Sequence, residues 1–234
     1  MTKKILITGA NGQLGHEMRN ALKGNNRFEC IFTDVAELDI CNTEAVKQTM
    51  ANNHIDYIVN CAAYTQVDKA EDNAELCKKI NTDAVENLAR AAADYGARMI
   101  HISTDYVFNG RGYRPYTEDM VPDPQSVYGS TKLEGEKILT DICPESIIIR
   151  TAWLYSPYGN NFVKTMLHLG EEREELSVVA DQIGTPTCAA DLAQAILVIL
   201  QADTFVPGTY HFSDEGVCSW YDFTVTIHRL AGIT

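Results

Sequence analysis

Short apolar runs alternate with amphipathic stretches through the first 150 residues of the chain. Runs rich in β-branched residues predict five strands, at residues 3–8, 28–34, 56–60, 98–103 and 146–150. Between the strands, apolar residues at helical spacing predict helices at residues 43–53, 73–95 and 126–141. The predicted core stripe of the longest helix consists of Leu76, Ile80, Ala84, Leu88 and Ala91. This alternation is typical of an α/β fold, in which helices cover both faces of a parallel sheet.

The pattern is looser after residue 150. Polar and turn-forming residues at 159–161 and 181–187 interrupt it, and a further helix is predicted at residues 189–201. We therefore predict a doubly wound parallel sheet in residues 1–150. Residues 151–234 are expected to form a small lobe of mixed structure that is not a separate folding unit.

Three glycines mark the junction between the first predicted strand and the first helix. Gly9, Gly12 and Gly15 have the spacing G-x-x-G-x-x-G. Glycine lets the backbone turn tightly and approach a pyrophosphate, whose charge then lies among free N–H groups at a helix N-terminus. The position between a strand and a helix predicts a Rossmann-type dinucleotide-binding domain over residues 1–150.

An acidic residue follows the second predicted strand. Asp34 stands 19 residues after Gly15, where a carboxylate can accept hydrogen bonds from an adenosine ribose and would repel a 2′-phosphate. This favours NADH over NADPH, although one neighbouring cation could offset the preference. Asp39 and Ile40 come next and could line the adenine site, or could simply lead into the following helix.

Candidate chemistry lies on the helix predicted at residues 126–141. Tyr128 and Lys132 are four residues apart and so share one face of that helix. A lysine ammonium there is expected to lower the pKa of the phenol, which makes Tyr128 a candidate general acid. Ser103 and Thr104, at the end of the fourth strand, add hydroxyls that could hold a carbonyl oxygen.

These candidates fall in segments that all follow predicted strands. Ligands of open α/β sheets bind outside the carboxyl ends of the strands. We therefore expect five segments to meet in one crevice: residues 9–15, Asp34, residues 62–65, residues 103–104 and residues 151–153.

The composition of the chain limits the classes of partner that it is expected to bind. The chain has 234 residues, 22% of them charged, and a formal net charge of −13. An acidic chain of this kind is not expected to bind nucleic acid or an anionic membrane. The longest apolar run, at residues 195–200, is too short to span a bilayer. The N-terminal residues form a predicted core strand without the cleavage site of a signal peptide.

Cysteine and histidine usage completes this picture. Seven cysteines lack regular spacing, so we expect them to be reduced in a cytoplasmic protein. Six scattered histidines form no ligand motif, so no catalytic transition metal is expected. The sequence leaves a divalent-cation requirement open, and it is compatible with a homodimer.

The glycine turn, the Ser103-Thr104 pair and the Tyr128/Lys132 pair together resemble the extended short-chain dehydrogenase/reductase family. Three further stretches, at residues 60–71, 103–110 and 181–187, resemble its dTDP-4-dehydrorhamnose reductase branch. This resemblance implies reduction of the C4 keto group of a dTDP-linked sugar by NADH or NADPH. It also implies that residues 151–234 form the substrate-binding lobe. Members of the branch continue beyond the region that matches residues 220–231, so part of that lobe is expected to be missing here.

The resemblance also implies roles for individual residues. Tyr128 would donate the proton, Lys132 would tune it and bind the nicotinamide ribose, and Thr104 would polarise the carbonyl. Asp105 and Trp153 would contact the substrate. The implied cofactor contacts are Gly9, Asn11, Gly12, Gln13, Leu14, Gly15, Asp34, Asp39, Ile40, Ala62, Ala63, Tyr64, Thr65, Tyr128 and Lys132.

Two alternatives stay open. One is another enzyme of the same scaffold, an epimerase or a 4,6-dehydratase. A dehydratase would need two acids after the fourth-strand threonine, and only Asp105 follows Thr104 directly. The other is a protein without catalytic activity that binds NADP structurally, similar to the regulatory subunit of methionine adenosyltransferase.

Overall fold

The computed structural model of the protein describes residues 2–233. Six parallel strands form its central sheet in the order β2-β1-β3-β4-β5-β9, and two pairs of short strands, β6 with β8 and β7 with β10, lie outside it. The strands are β1 Lys3–Thr8, β2 Phe28–Thr33, β3 Tyr57–Asn60, β4 Arg98–Thr104, β5 Ile147–Thr151, β6 Leu154–Tyr155, β7 Ile183–Gly184, β8 Thr187–Cys188, β9 Gly208–His211 and β10 Cys218–Ser219.

Helices connect the strands of the central sheet. They are α1 Gln13–Ala21, α2 Thr43–Asn53, α3 Val67–Asp72, α4 Ala74–Lys78, α5 Ala84–Tyr95, α6 Val127–Ile142, α7 Phe162–Glu172, α8 Ala189–Gln201 and α9 Trp220–Ala231. A π-helical turn, Lys79–Asp83, joins α4 to α5, and a 3₁₀ turn, Asp105–Val107, follows β4.

Alternation along the strands divides the core into two layers. Ile5 and Ile7 of β1 belong to the layer that contains residues of α1 and α8. Leu6, between them, belongs to the opposite layer, which contains residues of α2, α5 and α6. Successive strand side chains point to opposite faces, so the sheet is covered on both sides. The predicted α/β class and doubly wound parallel sheet are confirmed.

The strand order reverses direction between β1 and β3, since β2 lies to one side of β1 and β4 to the other side of β3. Such a switch point opens a crevice at the carboxyl ends of the two central strands. The glycine turn follows β1 directly, so the fold places it at the mouth of this crevice.

The segment predicted as one helix at residues 73–95 is helical from Ala74 to Tyr95, but its predicted core stripe is wrong in the first half. Helix α4 is short, the π-helical turn follows, and only α5 continues regularly. Leu76 is 48% exposed and Ile80 is half-buried, whereas Ala84, Leu88 and Ala91 are fully buried. The extra residue in a π turn rotates the helix face, and the stripe read from α-helical spacing therefore leaves the core. Helix α3, which precedes α4, was not predicted.

Residues after position 150 contribute to both parts of the molecule. Strand β9 pairs with β5 and extends the central sheet, while α8 packs on α1 beneath it. Helices α7 and α9 pack on each other alongside the two small sheets. Segments on both sides of residue 150 thus share the core of the sheet. The division of the chain into two parts at this residue stays a prediction.

No helix among residues 2–233 is long and apolar enough to cross a membrane. All seven cysteines have free thiols.

Candidate active site

The five expected segments follow the carboxyl ends of β1 to β5. Thr104 and Thr151 are the last residues of β4 and β5 and are register partners on these neighbouring strands. The five segments that the sequence singled out therefore lie at one edge of the sheet.

Backbone contacts at the glycine turn exclude larger residues. Gly9 has φ +64°, and a Cβ there would stand 2.6 Å from the Ala62 nitrogen. A Cβ on Gly15 would stand 2.3 Å from the Gly9 carbonyl oxygen. Gly12 precedes α1 and provides no side-chain cap, so the first N–H groups of the helix are left for a ligand.

A cavity of about 430 Å³ lies beside this turn. Seven of the predicted cofactor residues line it: Gly9, Gly12, Asp34, Asp39, Ile40, Ala62 and Ala63. Seven others line it without having been predicted: Val35, Leu38, Cys41, Cys61, Leu76, Lys79 and Ile80. The α-helical spacing of Leu76 and Ile80 predicts that both lie in the core, and it gives no signal that they line a cavity.

The other predicted cofactor residues do not line this cavity. The Gln13 side chain donates to the Leu154 carbonyl at 3.4 Å and accepts from Asn161 Nδ2 at 2.8 Å. Leu14 is buried in the layer beneath β1. Gly15 packs against the Gly9 carbonyl group and does not line the cavity. The residues that line the cavity also do not include Asn11, Tyr64 or Thr65.

Asp34 joins two parts of the crevice. Its carboxylate accepts the backbone N–H of Asn11 at 2.9 Å and that of Val35 at 2.8 Å. Asp34 also lines the cavity, as does Lys79 of the π turn. A carboxylate with two backbone donors is held in one orientation, and it can still accept further hydrogen bonds.

The π turn fixes the loop after β3. Asn81 Oδ1 accepts the Tyr64 N–H at 2.9 Å, and its Nδ2 donates to the Tyr64 carbonyl at 3.1 Å. A Cβ on Gly135 of α6 would stand 2.3 Å from the Asn81 carbonyl oxygen. Asn81 therefore holds the loop after β3, and its backbone packs closely against the helix that carries Tyr128.

Tyr128 lies in the first turn of α6, which the Ser126 side chain caps by accepting from the Gly129 N–H. The phenol ring is largely buried and meets Tyr106 edge-on, at 5.6 Å between ring centroids. Burial raises the pKa of Tyr128, and the neighbouring Thr104 hydroxyl offsets this in part. The phenol therefore keeps its proton at neutral pH.

Lys132 does not act on Tyr128 as expected. Its ammonium nitrogen lies 2.6 Å from the Ile102 carbonyl oxygen and 3.2 Å from Nε2 of His101. Burial lowers the pKa of Lys132 to about 8, against the charge of Glu136. The expectation that Lys132 lowers the pKa of the phenol is wrong for this state, because the lysine is directed into the sheet and burial dominates at Tyr128.

Thr104 carries two hydrogen bonds of its own. Its hydroxyl donates to Asp105 Oδ1 at 3.2 Å and accepts the Tyr106 N–H at 3.2 Å, which caps the 3₁₀ turn. Burial raises the pKa of Asp105 to about 6. Thr104, Asp105 and Tyr128 thus form one cluster in which two acidic groups interact with the same hydroxyl.

Trp153 lies in a different environment. Its ring stacks on Trp220 with centroids 3.4 Å apart, and Phe223 lies 6.3 Å away. Its φ of +47° is uncommon for a residue with a side chain, and stacking in this aromatic cluster holds it there. Its assignment to the substrate stays a prediction.

Metal-ligating side chains do not gather at the crevice. Among residues 2–233, no group of three or more His, Cys, Asp or Glu side chains could hold an ion.

The sheet order and the glycine turn define a protein with a Rossmann-type fold. The chain belongs to the RmlD substrate binding domain family, whose profile matches residues 3–234.

Relatives of known structure or curated function agree with this assignment. A dTDP-4-dehydrorhamnose reductase from Clostridium acetobutylicum is 52% identical with a TM-score of 0.95, over 98% of this chain and 81% of that one. The Bacillus anthracis dTDP-4-dehydrorhamnose reductase, solved in complex with NADP, is 43% identical with a TM-score of 0.96, over 100% of this chain and 82% of that one. The Escherichia coli K12 dTDP-4-dehydrorhamnose reductase is 46% identical, over 98% of this chain and 79% of that protein.

Proposed function

We propose that this protein reduces the C4 keto group of dTDP-4-dehydro-L-rhamnose to a hydroxyl and so forms dTDP-L-rhamnose, the final step of dTDP-rhamnose biosynthesis. The observation that carries the proposal is the Thr104/Tyr128 cluster at the carboxyl end of β4, on the same edge of the sheet as the glycine turn. The names of relatives at 43–52% identity, which cover nearly the whole chain, support the substrate.

The residues present fit a nicotinamide dinucleotide. Gly9 and Gly15 leave no room for a Cβ, and free N–H groups at the start of α1 suit a pyrophosphate. Ala62 and Ala63 would line the path toward the nicotinamide, and Asp34 would accept from the adenosine ribose. When bound in reduced form, the cofactor supplies the hydride that reaches the sugar C4.

Tyr128 supplies the proton. As the carbonyl oxygen gains negative charge, the phenol donates to it, and the product is a neutral hydroxyl. Burial suits this role, because it keeps the phenol protonated until an oxyanion develops beside it. Thr104 donates to the same oxygen once its hydroxyl turns away from Asp105. Asp105 would hold that hydroxyl in place before the substrate arrives.

For the cofactor, we propose a preference for NADH. Asp34 lines the cavity with its carboxylate fixed by Asn11 and Val35, and this negative charge opposes a 2′-phosphate. Lys79 lines the same cavity and is the cation that could offset the preference. We also propose that the reaction takes place in the cytoplasm, where free thiols persist.

The test is to mix the protein with NADH or NADPH and dTDP-4-dehydro-L-rhamnose, and to follow the absorbance of the reduced cofactor and the sugar product. Equimolar consumption of cofactor and appearance of dTDP-L-rhamnose are expected. An epimerase or dehydratase would convert the sugar without net consumption of reduced cofactor. A structural NADP-binding protein would bind the cofactor and turn over neither compound, and either result would overturn the proposal.

A matched arm uses dTDP-4-keto-6-deoxy-D-glucose, because a relative from Streptomyces niveus, 38% identical, is named as its reductase. Faster reduction of that sugar would reject the rhamnose assignment and keep the reductase class. Tyr128→Phe serves as the inactive control, and Tyr95→Phe, on the exposed end of α5, controls for loss of a phenol as such.

A further inference from the structure

A row of buried polar side chains runs behind the candidate active site, from β1 to α6. Thr8, Asn60, His101 and Lys132 are all at most 1% exposed. The contacts between consecutive members are 2.7 Å from Thr8 Oγ1 to Asn60 Oδ1, 3.0 Å from Asn60 Nδ2 to His101 Nδ1 and 3.2 Å from His101 Nε2 to Lys132 Nζ. His101 has no role in the proposed function, although it lies at the centre of this row.

The orientation of the Asn60 amide follows from its neighbours. The Ala62 N–H can only donate, and it approaches Asn60 Oδ1 at 3.2 Å. The Thr8 hydroxyl donates to the same oxygen. The other end of the amide, Nδ2, therefore faces His101 and donates to its Nδ1.

The tautomer of His101 follows in turn. A neutral imidazole carries one N–H, and Nδ1 is already the acceptor, so Nε2 carries the proton. Burial lowers the pKa of His101, which keeps the ring neutral. The Nε2–H bond then points at the Lys132 nitrogen, which must present a lone pair to accept it.

We propose that His101 is a positioning residue that donates a hydrogen bond from Nε2–H to the uncharged amine of Lys132, and so favours the uncharged form of this lysine in the cofactor-free protein. This arrangement rests on the proposed function, together with the binding of the nicotinamide ribose by Lys132 that the family resemblance implies. The uncharged amine still donates to the Ile102 carbonyl, so the side chain stays directed at β4 in either charge state.

Other charged groups around Lys132 act in the opposite direction. Glu136, one turn further along α6, favours the ammonium, but its carboxylate is paired with Arg150 of β5 at 2.7 Å. The Cys77 thiol of α4 also favours the ammonium. Burial opposes both and lowers the pKa of Lys132 to about 8. The Nε2–H of His101 adds a specific donor on the same side as burial.

The first test reads the tautomer and needs no activity. Nitrogen NMR of protein labelled with ¹⁵N-histidine separates a protonated ring nitrogen from an unprotonated one, and the spectrum of His101→Phe assigns the His101 signals. We expect a protonated Nε2 and an unprotonated Nδ1 at weakly alkaline pH, where Lys132 is uncharged. A protonated Nδ1 or a doubly protonated ring would overturn the proposal, whatever the protein is found to reduce.

The second test measures the pH at which Lys132 loses its charge. The affinity for NADH is measured against pH for the native protein and for His101→Phe, which keeps a ring and loses the donor. We expect the alkaline loss of affinity to move up by about one pH unit in the variant, the size of one hydrogen bond. Met99→Leu, two residues earlier on the same face of β4, controls for core packing and should leave the midpoint unchanged.

A third variant tests the cause without removing the ring. In Asn60→Asp, a carboxylate would accept from Nδ1–H, and Nε2 would become an acceptor that favours the lysine ammonium. In this variant too, the pH midpoint of the loss of NADH affinity should move up. An unchanged midpoint in both His101→Phe and Asn60→Asp would show that the row is only structural. If the midpoint shifts as expected but the native protein turns over no keto sugar, the proposed reaction is overturned and the role of His101 is retained.

Discussion

The carboxylate of Asp34 accepts the backbone N–H of Asn11 at 2.9 Å, and this bond ties the end of β2 to the glycine turn after β1. One side chain thereby combines two roles, fixing the turn and presenting negative charge to the cavity. Replacing it should change cofactor choice and, to a smaller extent, the order of the turn.

We expect Asp34→Ala to weaken NADH and to improve NADPH, because repulsion of a 2′-phosphate is removed. The measurement is kcat/KM for both cofactors with the same keto sugar. Lys79→Ala is the companion variant and should move the ratio toward NADH. A ratio that stays constant in both would show that neither side chain meets the ribose.

Tyr128→Phe should lower kcat by a factor of about 10²–10⁴, the usual contribution of a general acid. The fold and the affinity for NADH should be retained, because the ring still packs against Tyr106. Turnover is measured together with cofactor binding and thermal unfolding. Native turnover in this variant would remove Tyr128 from the mechanism.

Thr104→Val keeps the shape of the side chain and removes its hydroxyl. We expect kcat to fall by about 10-fold or more, because a donor to the developing oxyanion is lost. Thr33→Val makes the same exchange at the end of β2, where the hydroxyl donates to the Ile7 carbonyl. Equal effects of the two exchanges on stability, without a specific loss of turnover at Thr104, would assign Thr104 to capping alone.

Glu136→Gln should destabilise the protein by about 3–5 kcal/mol, because it leaves the Arg150 charge buried without its partner. Both side chains of this pair are at most 7% exposed. The exposed pair of Arg90 and Glu86 is the control, and Glu86→Gln should cost about 1 kcal/mol or less. Urea unfolding measures both, and similar losses would mean that burial of the first pair has no energetic effect.

Asp105 gives a stability effect with a defined sign in pH. Its folded pKa of about 6 lies above the ordinary value of 3.8, so the folded state binds the proton more tightly. The contribution to stability is therefore present at low pH and is lost as pH rises through the window between the two values. Asp105→Asn should gain stability relative to the native protein by about 1–3 kcal/mol across that window.

Unfolding free energies of the native protein and Asp105→Asn are compared on both sides of the window. Asp72→Asn, an exposed carboxylate at the end of α3, is the control and should show little change with pH. A gain that is independent of pH would assign the effect to packing instead of ionisation.

Local spacing in the sequence determined much of this protein. The spacing of apolar residues predicts the positions of β1 to β5, α2 and α8 to within about one residue. This works because the geometry of a strand or a helix depends on neighbours along the chain. The same holds for Tyr128 and Lys132 on one helix and for the strand-to-helix position of the glycine turn. Parallel topology then brings the strand ends to one edge, which is how the crevice could be anticipated.

Only the tertiary structure decided which side chains meet across that crevice. The contact of Lys132 with His101 joins residues 31 positions apart, and the chain from Thr8 to Asn60 spans 52. The stacking of Trp153 on Trp220 and the π turn that brings Leu76 and Lys79 to the cavity are equally non-local in origin. Such contacts depend on strand register and helix packing, which many sequences with the same local periods would satisfy differently. The sequence therefore specifies the candidate groups, and the fold decides their partners and their charge.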